Sequence, residues 1–320
     1  MSLTAEQFAE AFARIKKQMA QVIVGQEELT DGVLVGLLAR GHVLVEGAPG
    51  LGKTLVARTL AAVSGCAFKR IQFTPDLMPS DVTGSSVFDR QTSSFTFVPG
   101  PIFAQLLLAD EINRAPAKTQ SALLEAMQDR QVTVDGTSRL LPQPFVVVAT
   151  QNPVESQGTY PLPEAQLDRF LVKLTVEDPP RDVEQTIVKN HATGFDPSDL
   201  RHVTAATSPE ELVAMQHFAQ TVRVDDSIVA YIVDLARKTR DDRAIELGAS
   251  PRASIALLKA AQVMAASEGR TFVTPDDVKP MVKPVLRHRI LLHPDAQLQG
   301  TTPDDRIDDI LRTLPVPRAA

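Results

Sequence analysis

The sequence predicts an α/β fold, in which a parallel sheet flanked by helices is followed by an all-helical region. An apolar strand at 42–46 runs into the glycine-rich loop at 47–54, and the loop opens a helix. Two further apolar runs, LLLA at 106–109 and FVVVA at 145–149, have the length and composition of buried strands. Beyond residue 181 the hydrophobic pattern is helical throughout.

The composition is typical of a globular protein: 320 residues, 43% hydrophobic and 22% charged, with a net charge of −6. This length suggests two domains. The negative charge provides no global attraction to nucleic acid or to an anionic membrane. A single cysteine, Cys66, excludes an internal disulfide framework. No signal-peptide pattern or membrane-length apolar run is present, so we expect a cytoplasmic protein without a membrane span.

Two helices are predicted before the glycine-rich loop. Thr4 and Gln7 form a capping box for an amphipathic helix at 4–21, whose apolar residues recur at helical spacing as Phe8, Phe12, Ile15 and Met19. A second helix at 26–40 ends before Gly41.

The loop has the form G-x-x-x-x-G-K-T, which binds phosphate groups. Its glycines let backbone N–H groups approach an anion, and the following helix adds the positive end of its dipole. Lys53 would contact the β- and γ-phosphates, and the Thr54 hydroxyl would ligate Mg²⁺. We therefore predict ATP and Mg²⁺ as cofactors, with the nucleotide bound by Gly47, Ala48, Pro49, Gly50, Leu51, Gly52, Lys53, Thr54 and Leu55.

Asp110 and Glu111 follow the strand at 106–109, at the sheet edge where ligands bind in open α/β folds. Asp110 would hold the metal through its hydration shell, and Glu111 would polarise the attacking water. The alternative is that both acids only precede a helix, whose N-terminus favours negative charge. Between the loop and this strand we expect a helix ending at Ser64, a strand at 68–73, a loop at 74–84, and a hairpin of 85–88 with 94–98.

A second hairpin is predicted around Asp135-Gly136, after a helix that ends near Asp129. Asn152 follows the strand at 145–149, where its amide could orient the hydrolytic water. An ordinary Asn-Pro turn explains Asn152 equally well.

The segment EDPP at 177–180 resembles a linker, so we predict an α/β domain at 1–180 and a helical domain at 181–320. A capping box is expected at Ser208, and Pro280 with Pro284 suggests a kink or a break in one helix. The later helices are predicted at 182–191, 208–222, from 225, and at 250–269, 274–290 and 303–314.

The order of these motifs resembles an AAA+ ATPase, and more narrowly the MoxR family. The similarity extends from about residue 20 to 290 and is carried by IVGQEE, VLVEGAPGLGKT, RIQFTPDLMPSD, ADEINRAPAKTQSALLEAMQ, ATQNP and PLPEAQLDRF. In such proteins an insertion, here near 81–98, precedes the strand that ends in Asp-Glu, and a hairpin, here 131–141, precedes the first sensor. The helical region would then be the lid domain.

The resemblance implies roles for three further residues: Asn152 as first sensor, Arg169 as arginine finger and Arg252 as second sensor. A guanidinium supplied by a neighbouring subunit stabilises charge on the γ-phosphoryl oxygens. Arg169 could instead pair locally with an acid of its short helix, Asp168 or Glu164.

The roles of two other arginines remain open. Arg252 could be only a solvated residue of the first helical turn. Arg114 follows the catalytic acids closely enough to act at a subunit boundary. A structural salt bridge explains Arg114 equally well.

The resemblance further implies a ring, a hexamer in the usual case, that hydrolyses ATP at subunit interfaces. The energy would drive chaperone-like remodelling or maturation of a client, together with a von Willebrand factor A-domain partner. Phe88, Phe95 and Phe97 are candidate client contacts, although packing of their hairpin explains them too. Two alternatives are a nucleic-acid motor and a low-turnover scaffold. The 131–141 hairpin contains no cluster of lysines, which argues against a nucleic-acid partner.

Overall fold

A computed structural model describes residues 3–91, 93–153 and 159–317. Residues 1–2, 92, 154–158 and 318–320, which fall within the predicted domains, lie outside the described residues. The strands are β1 (Val43–Gly47), β2 (Phe68–Gln72), β3 (Gly84–Asp89), β4 (Ser94–Pro99), β5 (Leu106–Asp110), β6 (Gln131–Val134), β7 (Thr137–Leu140), β8 (Val146–Gln151), β9 (Val172–Val176), β10 (Ile245–Leu247) and β11 (Leu291–Leu292).

Helices flank the sheet and then make up most of the second half of the chain. They are α1 (Ala5–Met19), α2 (Glu27–Leu38), α3 (Lys53–Ser64), α4 (Pro79–Thr83), α5 (Ala117–Asp129), α6 (Glu164–Leu167), α7 (Arg181–Ala192), α8 (Pro209–Ala219), α9 (Asp226–Asp241), α10 (Pro251–Ser267), α11 (Pro275–Leu286), α12 (Pro294–Leu298) and α13 (Pro303–Thr313). Among the described residues, none of these helices is long and apolar enough to cross a membrane.

The central sheet has five strands in the order β2-β5-β8-β1-β9, and every neighbouring pair is parallel. β5 is buried along its whole length and β8 along all but its last residue, as expected for strands covered on both faces. Because the strands are parallel, the segments that follow β1, β5 and β8 meet at one edge. The predicted α/β fold is confirmed.

Two apolar cores cover the two faces of the sheet. One contains α1, α2 and α3 together with helices from α8 to α13, and the other contains α5 and the segment around Ile102. The first core therefore runs without interruption from the sheet into the helical region. The boundary at residue 180 stays a prediction.

The predicted helix at the N-terminus is confirmed, including the Thr4 and Gln7 capping box. Its apolar stripe is buried against α10 and α3. Helix α1 therefore packs both against a helix that flanks the sheet and against a helix of the second half of the chain.

The start of α8 differs from the predicted capping box. Ser208 Oγ accepts the Glu211 N–H at 3.2 Å, as expected. The Glu211 carboxylate, however, accepts from Thr207 Oγ1 at 2.8 Å and from Arg14 Nη2 at 2.8 Å. Arg14 belongs to α1, so this carboxylate links α8 to α1 instead of completing the cap.

One local expectation was wrong. Residues 79–83, predicted as loop, form α4, because Pro79 starts the helix and Asp81 accepts the Met78 N–H at 2.8 Å. Of the kink or break suggested at Pro280 and Pro284, a break is absent, since α11 is continuous through both. Neither proline belongs to the buried face of α11, so water can satisfy the carbonyls that lose a partner.

Both predicted hairpins are present. β3 pairs with β4 from Gly84 opposite Pro99 to Asp89 opposite Ser94, and β6 pairs with β7 across the Asp135-Gly136 turn. They touch where the Arg139 guanidinium lies 3.9 Å from the centre of the Phe97 ring.

His42, buried just before β1, makes two hydrogen bonds that fix its tautomer. The Val147 N–H donates to Nδ1 at 3.0 Å, so Nε2 carries the proton and donates to Met127 O at 3.0 Å. Burial lowers the pKa of His42 to about 4. Its protonation would remove the acceptor that Val147 uses.

We expect stability to fall as the pH drops from about 7.5 to 5, because His42 takes up a proton in the unfolded chain but not in the folded one. A folded pKa near 4 against an ordinary value of 6.5 gives a loss of about 2 kcal/mol over that range. Denaturation midpoints measured at both pH values should show a flatter dependence for His42→Asn than for wild type. An exposed-site control, His191→Asn, should keep the wild-type slope; equal slopes for all three proteins would contradict the assignment.

Candidate functional site

The glycine-rich loop joins the carboxyl end of β1 to the start of α3. Gly50 and Gly52 have φ values of 86° and 79°, in the left-handed region that favours glycine. A Cβ on Gly47 would lie 2.7 Å from the carbonyl oxygen of Val176, so this strand end also requires glycine. Lys53 Nζ donates to the carbonyls of Gly47 and Ala48. The loop is therefore wrapped around the ammonium group of its own lysine.

A cavity of about 410 Å³, here called the nucleotide cavity, opens beside the loop and is lined by most of the predicted site residues. Its walls include Lys53, Thr54, Asp110, Glu111 and Asn152, which come from the start of α3 and from the ends of β5 and β8. Asn152 is buried at the end of β8 and faces this cavity. The structure thus brings together the groups that the sequence places far apart.

Asp110 is almost completely buried, and its carboxylate has three side-chain partners. Arg70 donates to Oδ2 from Nη2 at 2.6 Å and from Nε at 3.1 Å, while Thr54 Oγ1 lies 3.3 Å from the same oxygen. Thr150 Oγ1 donates to Oδ1 at 2.5 Å. Arg70 supplies the positive charge that a buried carboxylate needs.

Glu111 has a left-handed backbone, with φ 55° and ψ 51°. This conformation is costly for a residue with a Cβ, and such strain is concentrated at functional sites. The Glu111 N–H donates to Thr150 Oγ1 at 2.9 Å. Its carboxylate Oε2 accepts from Gln72 Nε2 at 2.8 Å and from Arg114 Nη1 at 3.0 Å. Arg114 is therefore paired within the chain to the predicted catalytic acid.

Sequence reasoning missed Arg70, Gln72 and Thr150. Alternation along a strand places Arg70 and Gln72 on one side of β2, and pairing with β5 sets Gln72 opposite Asp110. The alternation can be recognised in the sequence. The pairing of β2 with β5, which places these side chains beside Asp110, cannot.

A second, mainly apolar cavity of about 270 Å³ adjoins the loop. Gln26, which lines this cavity, connects it to the glycine-rich loop by donating from Nε2 to the carbonyl of Leu51 at 2.9 Å. An apolar pocket next to a phosphate-binding loop can hold the planar base of a nucleotide. Its walls come from the chain before α2 and from α7 and the segment after it, and include Val22, Ile23, Val24, Ile187 and Phe195.

Arg169 and Arg252 are not in the nucleotide cavity. Both line a separate cavity of about 340 Å³, here called the amino-edge cavity, whose walls include His42 and Leu171, the residues that precede β1 and β9. The glycine-rich loop follows the other end of β1. A five-residue strand is about 15 Å long, so these arginines lie across the sheet from the loop of their own chain.

Local pairing does not explain Arg169. Asp168 instead binds Arg289, whose Nε lies 2.7 Å from Oδ1, and it has a longer contact of 3.8 Å with Arg252. Within the described parts of the chain, Arg169 makes no ion pair with Asp168 or Glu164.

The fold and the site define an ATPase of the AAA+ class. Residues 42–172 match the family model described as the ATPase family associated with various cellular activities, and residues 237–310 match the AAA lid domain. The crystal structure of a candidate ATPase from Cytophaga hutchinsonii superposes with a TM-score of 0.89 at 37% identity, covering 98% of this chain and 97% of that one.

Two relatives narrow the class. The chain is 43% identical to Chaperone MoxR1 of Mycobacterium tuberculosis over 94% of its own length and 81% of the relative. It is 48% identical to the uncharacterized protein YeaC of Bacillus subtilis over 93% and 92% of the two chains. The chain belongs to the MoxR family of AAA+ ATPases, and its reaction is the hydrolysis of ATP to ADP and phosphate.

Proposed function

We propose that the chain hydrolyses ATP at the subunit interfaces of a cytoplasmic ring, a hexamer, and uses the energy to remodel partner proteins. One observation carries the proposal: Arg169 and Arg252 share a cavity on the edge of the sheet opposite the glycine-rich loop. Each chain then supplies Lys53 and Glu111 to one nucleotide and its two arginines to the nucleotide of the next chain. A single chain holds an incomplete site.

The residues at the predicted metal position fit Mg²⁺. The Thr54 hydroxyl and the Asp110 carboxylate are hard oxygen ligands whose oxygens lie 3.3 Å apart in the nucleotide cavity. Mg²⁺ bound there would neutralise charge on the β- and γ-phosphate oxygens. Few protein ligands are needed because phosphate oxygens and water complete such sites.

Glu111 is the proposed general base. Its carboxylate takes a proton from water as the water oxygen bonds to the γ-phosphorus and the bond to the β-phosphate oxygen of ADP breaks. The Asn152 amide orients that water. Lys53 turns from the carbonyls of Gly47 and Ala48 to the phosphates, and Arg169 of a neighbouring copy stabilises the charge that develops.

A chaperone-like role is supported by the name of the relative MoxR1 and by the exposed hairpin of β3 and β4. Phe88 and Phe95 lie opposite each other on one hairpin face and are 50% and 73% exposed. Phe97, in contrast, packs against Arg139 and Phe103, so its role is packing. We propose Phe88 and Phe95 as client contacts and a von Willebrand factor A-domain protein as the partner.

Assembly tests the proposal directly. With Mg·ATP, the Glu111→Gln chain should show a sixfold mass by size-exclusion chromatography with light scattering. Lys53→Ala should stay smaller, because it lacks the ammonium that contacts the phosphates. Lys238→Gln, an exposed site on α9, serves as the control and should assemble like wild type. Absence of any ATP-dependent mass increase would count against the ring.

A further inference from the structure

The amino-edge cavity is more cationic than Arg169 and Arg252 alone make it. Asp168 is the one acidic residue among its described lining residues, and the 2.7 Å contact with Arg289 already balances its charge. His42 is neutral at physiological pH, since burial lowers its pKa to about 4. One carboxylate therefore faces six positive side chains, because the cavity is lined by Arg40, Arg130, Arg169, Arg252, Lys259 and Arg289.

Two of these cations follow the ends of helices α2 and α5, where the backbone enters the left-handed region. Arg40 and Arg130 have φ values of 57° and 52°, which residues with a Cβ rarely adopt. Arg130 Nη2 donates to the carbonyl of Arg40 at 2.7 Å, so the two segments are joined inside the cavity wall.

Helix α10 supplies the rest of the surface. Arg252 and Lys259 are seven residues apart, two helical turns and about 10 Å, and both line the cavity. Burial lowers the pKa of Lys259, and repulsion by Arg130 and Arg40 lowers it further. An anion in the cavity would relieve this repulsion.

We propose that Arg40, Arg130 and Lys259 form, with Arg169 and Arg252, a binding site for a polyphosphate group. Arginine side chains match phosphate oxygens in pairs, and lysine adds a compact charge. Two sources could supply this group: the triphosphate of an ATP held by an adjoining subunit, or a free polyphosphate. The first source rests on the proposed function. Nothing in the sequence motifs assigns Arg40, Arg130 or Lys259 a role.

The first experiment measures anion binding to the amino-edge cavity separately from binding to the glycine-rich loop. Lys53→Ala weakens the loop site, and binding of inorganic tripolyphosphate to that chain is followed by calorimetry at low salt. Adding Lys259→Gln or Arg130→Gln should weaken the remaining binding about tenfold, because each removes one charge-assisted contact. Adding Lys238→Gln, a matched exposed lysine of the lid, should not change it. Two cavity variants guard against a folding defect in either one.

The second experiment identifies the source in the assembled protein. Lys259→Gln should raise the KM for ATP about tenfold if the adjoining triphosphate is the ligand. Tripolyphosphate binding with an unchanged KM would instead identify a free polyphosphate. If neither measurement responds to Lys259→Gln and Arg130→Gln, the site does not exist, even if Arg169 acts between subunits. If Arg169 does not act between subunits but tripolyphosphate binding depends on Lys259, the polyphosphate site is supported and the proposed hydrolysis at subunit interfaces is contradicted.

Discussion

Replacing Glu111 by Gln is expected to lower the rate of ATP hydrolysis by about 10²–10⁴-fold while leaving ATP binding almost unchanged. An amide cannot accept the proton of the attacking water. It has the same shape, and its oxygen can still accept from Gln72 and Arg114, which contact Oε2 at 2.8 and 3.0 Å. The strained backbone at 111 is also retained. The variant should therefore lose ATP hydrolysis while the shape of the nucleotide cavity, and with it ATP binding, is retained.

Phosphate release and the affinity for a fluorescent ATP analogue, measured on the same samples, separate these two effects. Glu125→Gln removes an exposed acid of α5 outside the cavity and should leave both quantities at wild-type values. Wild-type turnover in Glu111→Gln would remove Glu111 from the role of base.

Removing the guanidinium of Arg169 is expected to lower kcat about 10³–10⁵-fold in the assembled protein, the range known for arginine fingers. The loss should be repaired by mixing. Arg169→Ala chains keep Glu111, and Glu111→Gln chains keep Arg169, so an interface between one of each is complete. Two inactive proteins should give an active mixture.

The activity of mixtures at varying ratios measures this complementation. Arg237→Ala, which removes an exposed arginine of α9, should leave turnover unchanged on its own. A mixture no more active than its parts, or an Arg169→Ala protein with normal turnover, would show that Arg169 does not act across the interface.

Much of the nucleotide site could be predicted because its signals are local. The spacing of glycines with Lys53 and Thr54 lies within eight consecutive residues, and β5 reads as a short apolar run ending in Asp110. The partners of those groups could not be predicted in the same way. Arg70 reaches Asp110 only because β2 pairs with β5 in one register. A shift of one residue would turn it to the other face of the sheet.

By itself the sequence determined the class of chemistry, since glycine spacing, apolar strands and terminal carboxylates are encoded within short segments. Only the tertiary structure decided where those groups lie. The strand order β2-β5-β8-β1-β9 differs from the order along the chain, so proximity in space cannot be read from proximity in sequence. Arg169 and Arg252 meet because the segment after α6 and the start of α10 line one cavity at the amino edge, whereas Lys53 lies at the carboxyl edge. Strand direction, which only packing sets, separates them.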